Sequence, residues 1–225
     1  MNFLSHYYFD RYTTDPNLVV GIVLPDLVKN AKKDWNLHPE KPEYIYPDFE
    51  SVQSIRKGWG RHILVDKYFH SSAFFAEHTH KLKVALLPVL ENSPVRPSFL
   101  AHITLELLLD SLLITEEVLD AHSFYDHLKN VEIEGLGSFL STNRLDDLPK
   151  FFHFLNEFIK ADYLHSYREP RSVVYALNRI CMRLWKDPLT AAQKNELILI
   201  LIDYKTSLEP VYLKIFEEIS NRLMQ

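Results

Sequence analysis

The chain has 225 residues, enough to bury a sizeable core, and no composition break divides it, so we expect one domain over residues 1–225. Apolar residues make up 47% and charged residues 24%, an ordinary globular composition that excludes a disordered chain or a fibrous repeat. The formal net charge of −5 lacks the basic excess typical of nucleic-acid-binding domains, so we expect no nucleic-acid partner.

The cysteine content and the apolar runs bear on the compartment. The one cysteine, Cys181, excludes an internal disulfide and suits a reducing environment. The opening residues lack a basic stretch followed by an apolar run, and the longest apolar runs are interrupted by acids well short of the roughly 20 residues that cross a bilayer. We therefore expect a cytoplasmic protein with no membrane partner.

The predicted fold class is all-α, because only five glycines leave little of the turn chemistry that β-hairpins require. Ser98 and Asp187 are predicted N-caps, the latter with Pro188 at the first helical position. The predicted loops contain Pro42 and Pro47, residues 88–97, residues 135–142, and the residues around Pro170 and Pro188. Six segments carry apolar residues at helical spacing, and each is a helix or a helix pair: 16–33, 49–89, 98–129, 147–160, 171–186 and 190–223.

The segment that begins at Ser98 carries the most informative polar pattern. His102, Glu106 and Asp110 interrupt a nearly continuous apolar sequence at intervals of four residues, so they lie along one stripe of a helix. A helix that is apolar almost all round is normally buried, and buried carboxylates need cations or a metal. The stripe is either a narrow solvated face or part of a metal site. All three residues can bind metal, which favours the second interpretation.

A second helix repeats this spacing. His62, Asp66 and His70 again lie at intervals of four residues, so two such stripes could face each other. Imidazole and carboxylate together suit Mn²⁺, Fe²⁺, Zn²⁺ or Mg²⁺, and the lack of thiolate ligands argues against a structural zinc site. The alternative for His62 and Asp66 is an exposed ion pair between positions i and i+4.

Two further polar residues interrupt apolar surroundings nearer the start. His6 lies among aromatic residues, and Asp26 follows Pro25 after an apolar run. A single histidine among aromatics is more often a core residue with satisfied hydrogen bonds than a ligand, and an aspartate after proline often only caps a turn.

Taken together, the blocks that contain these residues resemble the acyl carrier protein phosphodiesterase family, which is related to the HD-domain metal-dependent phosphohydrolases. The chain differs from the family pattern at Ile63, where an Arg is usual, at Ser111, where a His is usual, and at His70, where an Asp is usual. The matching pieces, in order, are Met1-Asn2-Phe3-Leu4-Ser5-His6, the stretch from Gly21 to Asp26, the Gly58-x3-His62-x3-Asp66 spacing, and Asp110 in an apolar helix.

The resemblance implies an HD-domain-like helical core and a metal-dependent phosphodiesterase, with Mn²⁺ the favoured ion. In such a site His62, Asp66 and Asp110 would bind the metal, with Glu106 beside them. His6 or Asp26 would orient the bound water or complete the coordination.

Other residues would act on the substrate. His102 and His70 are candidates for proton transfer to the leaving oxygen, since an imidazole titrates close to working pH. Arg61 and Lys57 could contact the substrate phosphate, and they fit equally well as ordinary solvated charges.

Three functions remain open. The first is removal of 4′-phosphopantetheine from holo-acyl carrier protein, an activity linked to lipid biosynthesis. The second is hydrolysis of a small phosphate ester or nucleotide, suggested by Ile63 and Ser111. The third is a noncatalytic helical interaction protein whose polar stripes only satisfy one another. An acidic carrier protein would dock on a local basic patch, for which the candidates are Lys29, Lys32, Lys33, Arg56, Lys57 and Arg61.

Overall fold

The computed structural model describes residues 1–41 and 44–225, and the all-α prediction is confirmed, since no strand occurs among them. A 3₁₀-helix at Tyr163–Arg168 precedes the ninth α-helix. The α-helices of the described residues are α1 Phe3–Tyr8, α2 Pro16–Ala31, α3 Glu50–His70, α4 Ala73–Leu86, α5 Pro97–Thr115, α6 Ala121–Lys129, α7 Ile133–Thr142, α8 Leu148–Ala161, α9 Pro170–Cys181, α10 Ala191–Leu208 and α11 Leu213–Leu223.

The six predicted helical segments are confirmed as helices or helix pairs. Three of them hold pairs: α3 with α4, α5 with α6, and α10 with α11. The other three hold α2, α8 and α9. Of the predicted loop residues, Pro42 lies outside the described part of the chain.

Two helices lie where no helix was predicted. The loop prediction for residues 135–142 is wrong, because this stretch belongs to α7. Leu136, Phe139 and Leu140 are buried on one face of it, and burying these side chains outweighs the low helix propensity of Gly135 and Gly137. Helix α1 is six residues long, too short to show an apolar period in the sequence.

Both predicted N-caps are also wrong. Helix α5 has Arg96 at its N-cap without a side-chain hydrogen bond, and Pro97 rather than Ser98 starts the helix. Helix α10 starts three residues later than predicted, with Thr190 as N-cap in a capping box with Gln193. Asp187 instead has a positive φ of 48°.

The Cα positions group the residues into two compact units, each assembled from separate stretches of chain. We call them the α5 unit, which comprises Met1–Ser5, Lys67–Val118 and Leu164–Gln225, and the α2 unit, which comprises His6–Asp66 and Leu119–Tyr163. The expectations of one domain over the whole chain and of an HD-domain-like core stay predictions.

The α5 unit is built around a helix that is buried along most of its length. Helices α4, α9 and α10 pack against α5. Within the described residues, α5 is the helix long and apolar enough to cross a membrane by length and composition, and 67% of that span is buried inside the protein. Buried core helices pass the same test, so the expectation of no membrane partner stays a prediction.

The α2 unit is organised in the same way around α2. Asp15 caps this helix by accepting a hydrogen bond from the Asn17 amide at 2.9 Å, and Pro16 occupies the first turn. Ten consecutive or near-consecutive residues of α2 are buried, and α6 and α8 pack against it. The polar side chains of α3 that contact α2 therefore lie in an apolar environment.

Candidate metal centres

The first group of metal-competent side chains lies in the α2 unit, and we call His6, His62 and Asp66 the buried cluster. His6 comes from α1 and the other two from α3. His6 Nε2 lies 3.2 Å from Asp66 Oδ1, and His62 Nε2 lies 3.6 Å from Asp66 Oδ2. The two imidazole rings stack with their centroids 3.9 Å apart and an interplanar angle of 14°. Both histidines are buried, whereas the Asp66 side chain is 33% exposed.

Two glycines bring the helices that carry this cluster close together. A Cβ on Gly58 of α3 would lie 2.3 Å from the backbone oxygen of Leu18, and one on Gly21 of α2 would lie 2.3 Å from the backbone oxygen of Ile55. Any side chain at either position would push α2 and α3 apart. The close approach lets His62 Nδ1 donate to the Ile22 carbonyl at 2.7 Å.

That hydrogen bond determines which nitrogen of His62 carries the proton. A carbonyl oxygen only accepts, so the proton is on Nδ1 and the lone pair of a neutral ring is on Nε2, toward Asp66. Burial, and then the neighbouring His6, hold the pKa of His62 well below its usual value, so the ring is neutral at pH 7.

Asp66 is ionised at neutral pH. Burial alone would raise the pKa of Asp66, but the hydrogen bond from His6 lowers it well below the usual range. The buried cluster therefore presents a carboxylate and the unprotonated Nε2 of His62 to one another.

The second group lies in the α5 unit, and we call His70, His102 and Glu106 the open cluster. His70 is the last residue of α3, and the other two lie one turn apart on α5. His102 Nε2 is 3.1 Å from His70 Nε2 and 3.0 Å from Glu106 Oε1, and His70 Nε2 is 3.4 Å from the same oxygen. The side chains of His70, His102 and Glu106 are 34%, 40% and 16% exposed, respectively.

Glu106 is also ionised. Burial would raise the pKa of Glu106, but the N-terminal amine of Met1, 3.1 Å from Oε1, and the hydrogen bonds with His102 and His70 hold it well below the usual range. The open cluster thus combines one carboxylate with two imidazole nitrogens that converge on it.

Both clusters could hold a divalent metal ion. Two imidazoles and one carboxylate form a ligand set used for zinc in hydrolases and for iron in nonhaem enzymes. In the buried cluster, the His62 Nδ1 bond to a backbone carbonyl is the outer contact that usually orients a ligating histidine. This hydrogen bond forms without any metal, and it already orients His62 as a metal ligand would need to be oriented.

Asp110, predicted as a metal ligand, has a different set of partners. Its carboxylate accepts hydrogen bonds from the Ser5 hydroxyl at 2.6 Å, from the Ser5 and Leu4 amides at 2.8 and 3.1 Å, and from Asn2 Nδ2 at 2.8 Å. Burial raises the pKa of Asp110 to about 6, although these bonds oppose the shift. We assign Asp110 to anchoring the first turn of α1.

Other predicted site residues line a pocket in the α2 unit instead of joining a cluster. Asp26, Lys57 and Arg61 lie on its wall with Trp35 and Trp59, and its volume is about 1160 Å³. Asp26 sits inside α2, so the alternative that it caps a turn is wrong. The guanidinium Nε of Arg61 donates to Asp10 at 3.0 Å, an acid that also lines the pocket.

The sequence had placed the two four-residue stripes opposite each other, and His70 does meet His102 and Glu106. The resemblance had placed His6, His62 and Asp66 in one site, and the structure brings these three side chains together. Their assembly depends on close glycine contacts between helices. Gly21 in α2 and Gly58 in α3 are the sequence signal that could have indicated that these two helices pack closely.

Comparisons of the chain with protein-family models, with curated proteins and with solved structures found no match. The resemblance to the acyl carrier protein phosphodiesterase family therefore stays a prediction from the motifs.

Proposed function

We propose that this protein is a metal-dependent phosphodiesterase in which His6, His62 and Asp66 hold a divalent ion, with Mn²⁺ favoured. The observation that carries the proposal is the meeting of the unprotonated His62 Nε2 with the Asp66 carboxylate at 3.6 Å. Two acceptors that face each other repel unless a cation lies between them. All three residues also lie in the motif blocks that resemble the phosphodiesterase family.

Each residue has a defined task in this proposal. The bond to Ile22 orients His62, and stacking against His6 holds both rings against rotation. Asp66, whose side chain is 33% exposed, is the member that water and a phosphate ester would reach first. The metal would lower the pKa of a bound water and offset charge on the phosphoryl oxygens.

The test is hydrolysis of bis(p-nitrophenyl) phosphate and of holo-acyl carrier protein by full-length protein stripped with chelator and resupplied with Mn²⁺. We expect Mn²⁺-dependent turnover, and D66N should lower kcat/KM by about 100-fold or more, since a metal supplies several kcal/mol to this chemistry. H153A, at an exposed histidine of the same unit, is the matched control and should behave as the wild type.

Three results would go against the proposal. Unchanged turnover in D66N would rule out the buried cluster as the site of hydrolysis. Absence of turnover on every diester, with metal bound, would favour the noncatalytic interaction protein. Hydrolysis of simple diesters while holo-acyl carrier protein keeps its 4′-phosphopantetheine would remove the carrier protein as substrate.

The carrier protein also requires a basic docking surface, which we propose on the α2 unit. Lys33 and Lys57 are exposed, but other cations of the predicted patch have partners. Lys32 pairs with Asp146 at 2.9 Å, and Arg56 lies over the Tyr46 ring at 4.3 Å. The positive surface left for an acidic partner is therefore smaller than the residue count implies.

The pocket favours a second candidate, a small phosphate ester or nucleotide as the substrate. Its wall combines the aromatic rings of Trp35 and Trp59 with the cations of Lys57 and Arg61, which suits a molecule with an apolar part and a phosphate. Adenosine monophosphate should quench the fluorescence of these tryptophans, and K57Q should weaken binding by about threefold to tenfold. Equal affinity of the wild type and K57Q would count against this candidate.

A further inference from the structure

The open cluster has a geometry that hydrogen bonds among its own three side chains cannot satisfy. His70 Nε2, His102 Nε2 and Glu106 Oε1 form a triangle with sides of 3.0, 3.1 and 3.4 Å. We propose that these three residues form a second site for a divalent transition metal, open to solvent. It does not depend on the phosphodiesterase proposal.

No assignment of protons makes all three contacts hydrogen bonds. An imidazole N–H points along one direction in the ring plane, so each Nε2 can donate to one partner only. If both histidines donate to Glu106, both Nε2 hydrogens point at Oε1, and the 3.1 Å contact between the two donor nitrogens has no acceptor. If His102 donates to His70, its 3.0 Å contact with Glu106 has no proton. At most two of the three contacts can be hydrogen bonds at the same time.

One cation satisfies all three contacts together. Metal–ligand bonds of about 2.0–2.2 Å place neighbouring ligand atoms about 3.0–3.4 Å apart in octahedral or tetrahedral coordination. The three sides of the triangle fall within this range. An ion slightly above its plane would therefore reach all three atoms without a large movement of any side chain.

The helices hold these atoms in place. His102 and Glu106 are one turn apart on α5, so both point from the same face of a helix that is otherwise packed in the core. Phe75 of α4 lies edge-on to both His70 and His102, with ring centroids 5.0 Å apart in each case. Rings held by packing lose less entropy when a metal binds.

The exposure of the cluster leaves room for a further ligand. Both histidines are more than a third exposed, so solvent reaches the side of the triangle away from α5. Three protein ligands with an open position are typical of sites that bind water or an exchangeable anion, in contrast to closed four-ligand structural sites. This gives His70 and His102 the role of ligands, in place of the proton transfer that the resemblance implied.

The test is a titration of chelator-stripped full-length protein with Co²⁺, followed by its visible absorption, and with Zn²⁺, followed by calorimetry. H102A and E106Q should each weaken binding at this site by about 100-fold or more, because each removes a ligand. H80A, an exposed histidine of α4 in the same unit, should leave it unchanged. D66N, made in parallel, removes only binding at the buried cluster.

The outcomes separate the sites. Loss of one equivalent of Co²⁺ in H102A and E106Q, but not in H80A or D66N, supports the open site. Identical Co²⁺ spectra and stoichiometry in the wild type, H102A and E106Q would overturn it, as would a D66N variant that binds no Co²⁺ or Zn²⁺. Circular dichroism confirms folding, and none of these readings depends on phosphodiesterase activity.

Discussion

The buried cluster and the open cluster contain the same chemical groups, two imidazoles and one carboxylate, in opposite surroundings. His6 and His62 are fully enclosed, and the pKa of His62 is lowered by that enclosure. His70 and His102 lie at the surface, with only Glu106 largely covered. The contrast shows that residue type sets which ions a site can take, whereas burial sets what the residues contribute to stability before any ion binds.

The two clusters also differ in what holds them. The buried cluster depends on a close contact between helices at Gly21 and Gly58. The open cluster depends on one helix face, on which His102 and Glu106 are adjacent by spacing alone. Changes to helix packing should therefore affect the first cluster far more than the second.

The largest effect is expected at Asp110, which lies on the same stripe of α5 as the open cluster but is completely buried. D110A would leave four donors from Asn2, Leu4 and Ser5 without their acceptor, and we expect it to lower the free energy of unfolding by about 3–5 kcal/mol. D203A, at an exposed aspartate of α10, is the control and should change stability by less than about 0.5 kcal/mol. Urea unfolding measures both, and equal stabilities would show that the buried end of the stripe has no anchoring role.

Next in size is the helix contact under the buried cluster. The Cβ of G58A would sit 2.3 Å from the backbone oxygen of Leu18, so α2 and α3 must separate, at a cost of about 3 kcal/mol. G60A, two residues along the same helix, meets nothing within 4 Å and should stabilise the protein by up to about 1 kcal/mol. Thermal unfolding of the two variants measures this difference. A G58A variant as stable as G60A would show that α2 and α3 are not in close contact at Gly58.

Spacing within one helix was predictable from the sequence, whereas contact between helices was predictable only in part: the expectation that the two stripes face each other is met where His70 contacts His102 and Glu106. The i to i+4 rule placed His102 with Glu106 and His62 with Asp66, since both members of each pair belong to one helix. That His6 stacks on His62 depends on how α1 docks, which no local pattern encodes.

The same distinction explains the helix at residues 135–142 and the hydrogen-bond partners of Asp110. Residues 135–142 resembled a turn because Gly135 and Gly137 are poor helix formers, but burial of Leu136 and Phe139 stabilises a helix there. Asp110 resembled a metal ligand because a buried carboxylate needs partners, and the backbone amides that supply them come from the far end of the sequence. In both cases a tertiary contact outweighed the local signal.

The third effect compares one histidine from each cluster in metal-free protein. H62A removes a buried ring, its stacking on His6 and its bond to Ile22, which should cost about 2–3 kcal/mol. H102A removes a ring that is 40% exposed and should cost under about 1 kcal/mol. Urea unfolding with chelator present gives both values, and a reversed order would mean that burial does not distinguish the clusters.

The smallest effect is on the pH dependence of stability. Because burial lowers the pKa of His62 in the folded protein, the unfolded chain takes up a proton near pH 6.5 that the folded chain does not. The contribution of His62 is therefore complete above pH 6.5 and is lost as the pH falls.

Asp110 works in the opposite direction, since its pKa is raised to about 6 and its contribution is lost as the pH rises from about 4 to 6. The wild type and H62Q share this contribution of Asp110, so subtracting the stability–pH profile of H62Q from that of the wild type removes it. Between pH 7.5 and 5.5, metal-free wild type should lose about 1 kcal/mol more stability than H62Q, measured by urea unfolding at each pH. Parallel profiles would mean that His62 takes up a proton equally in the folded and unfolded states.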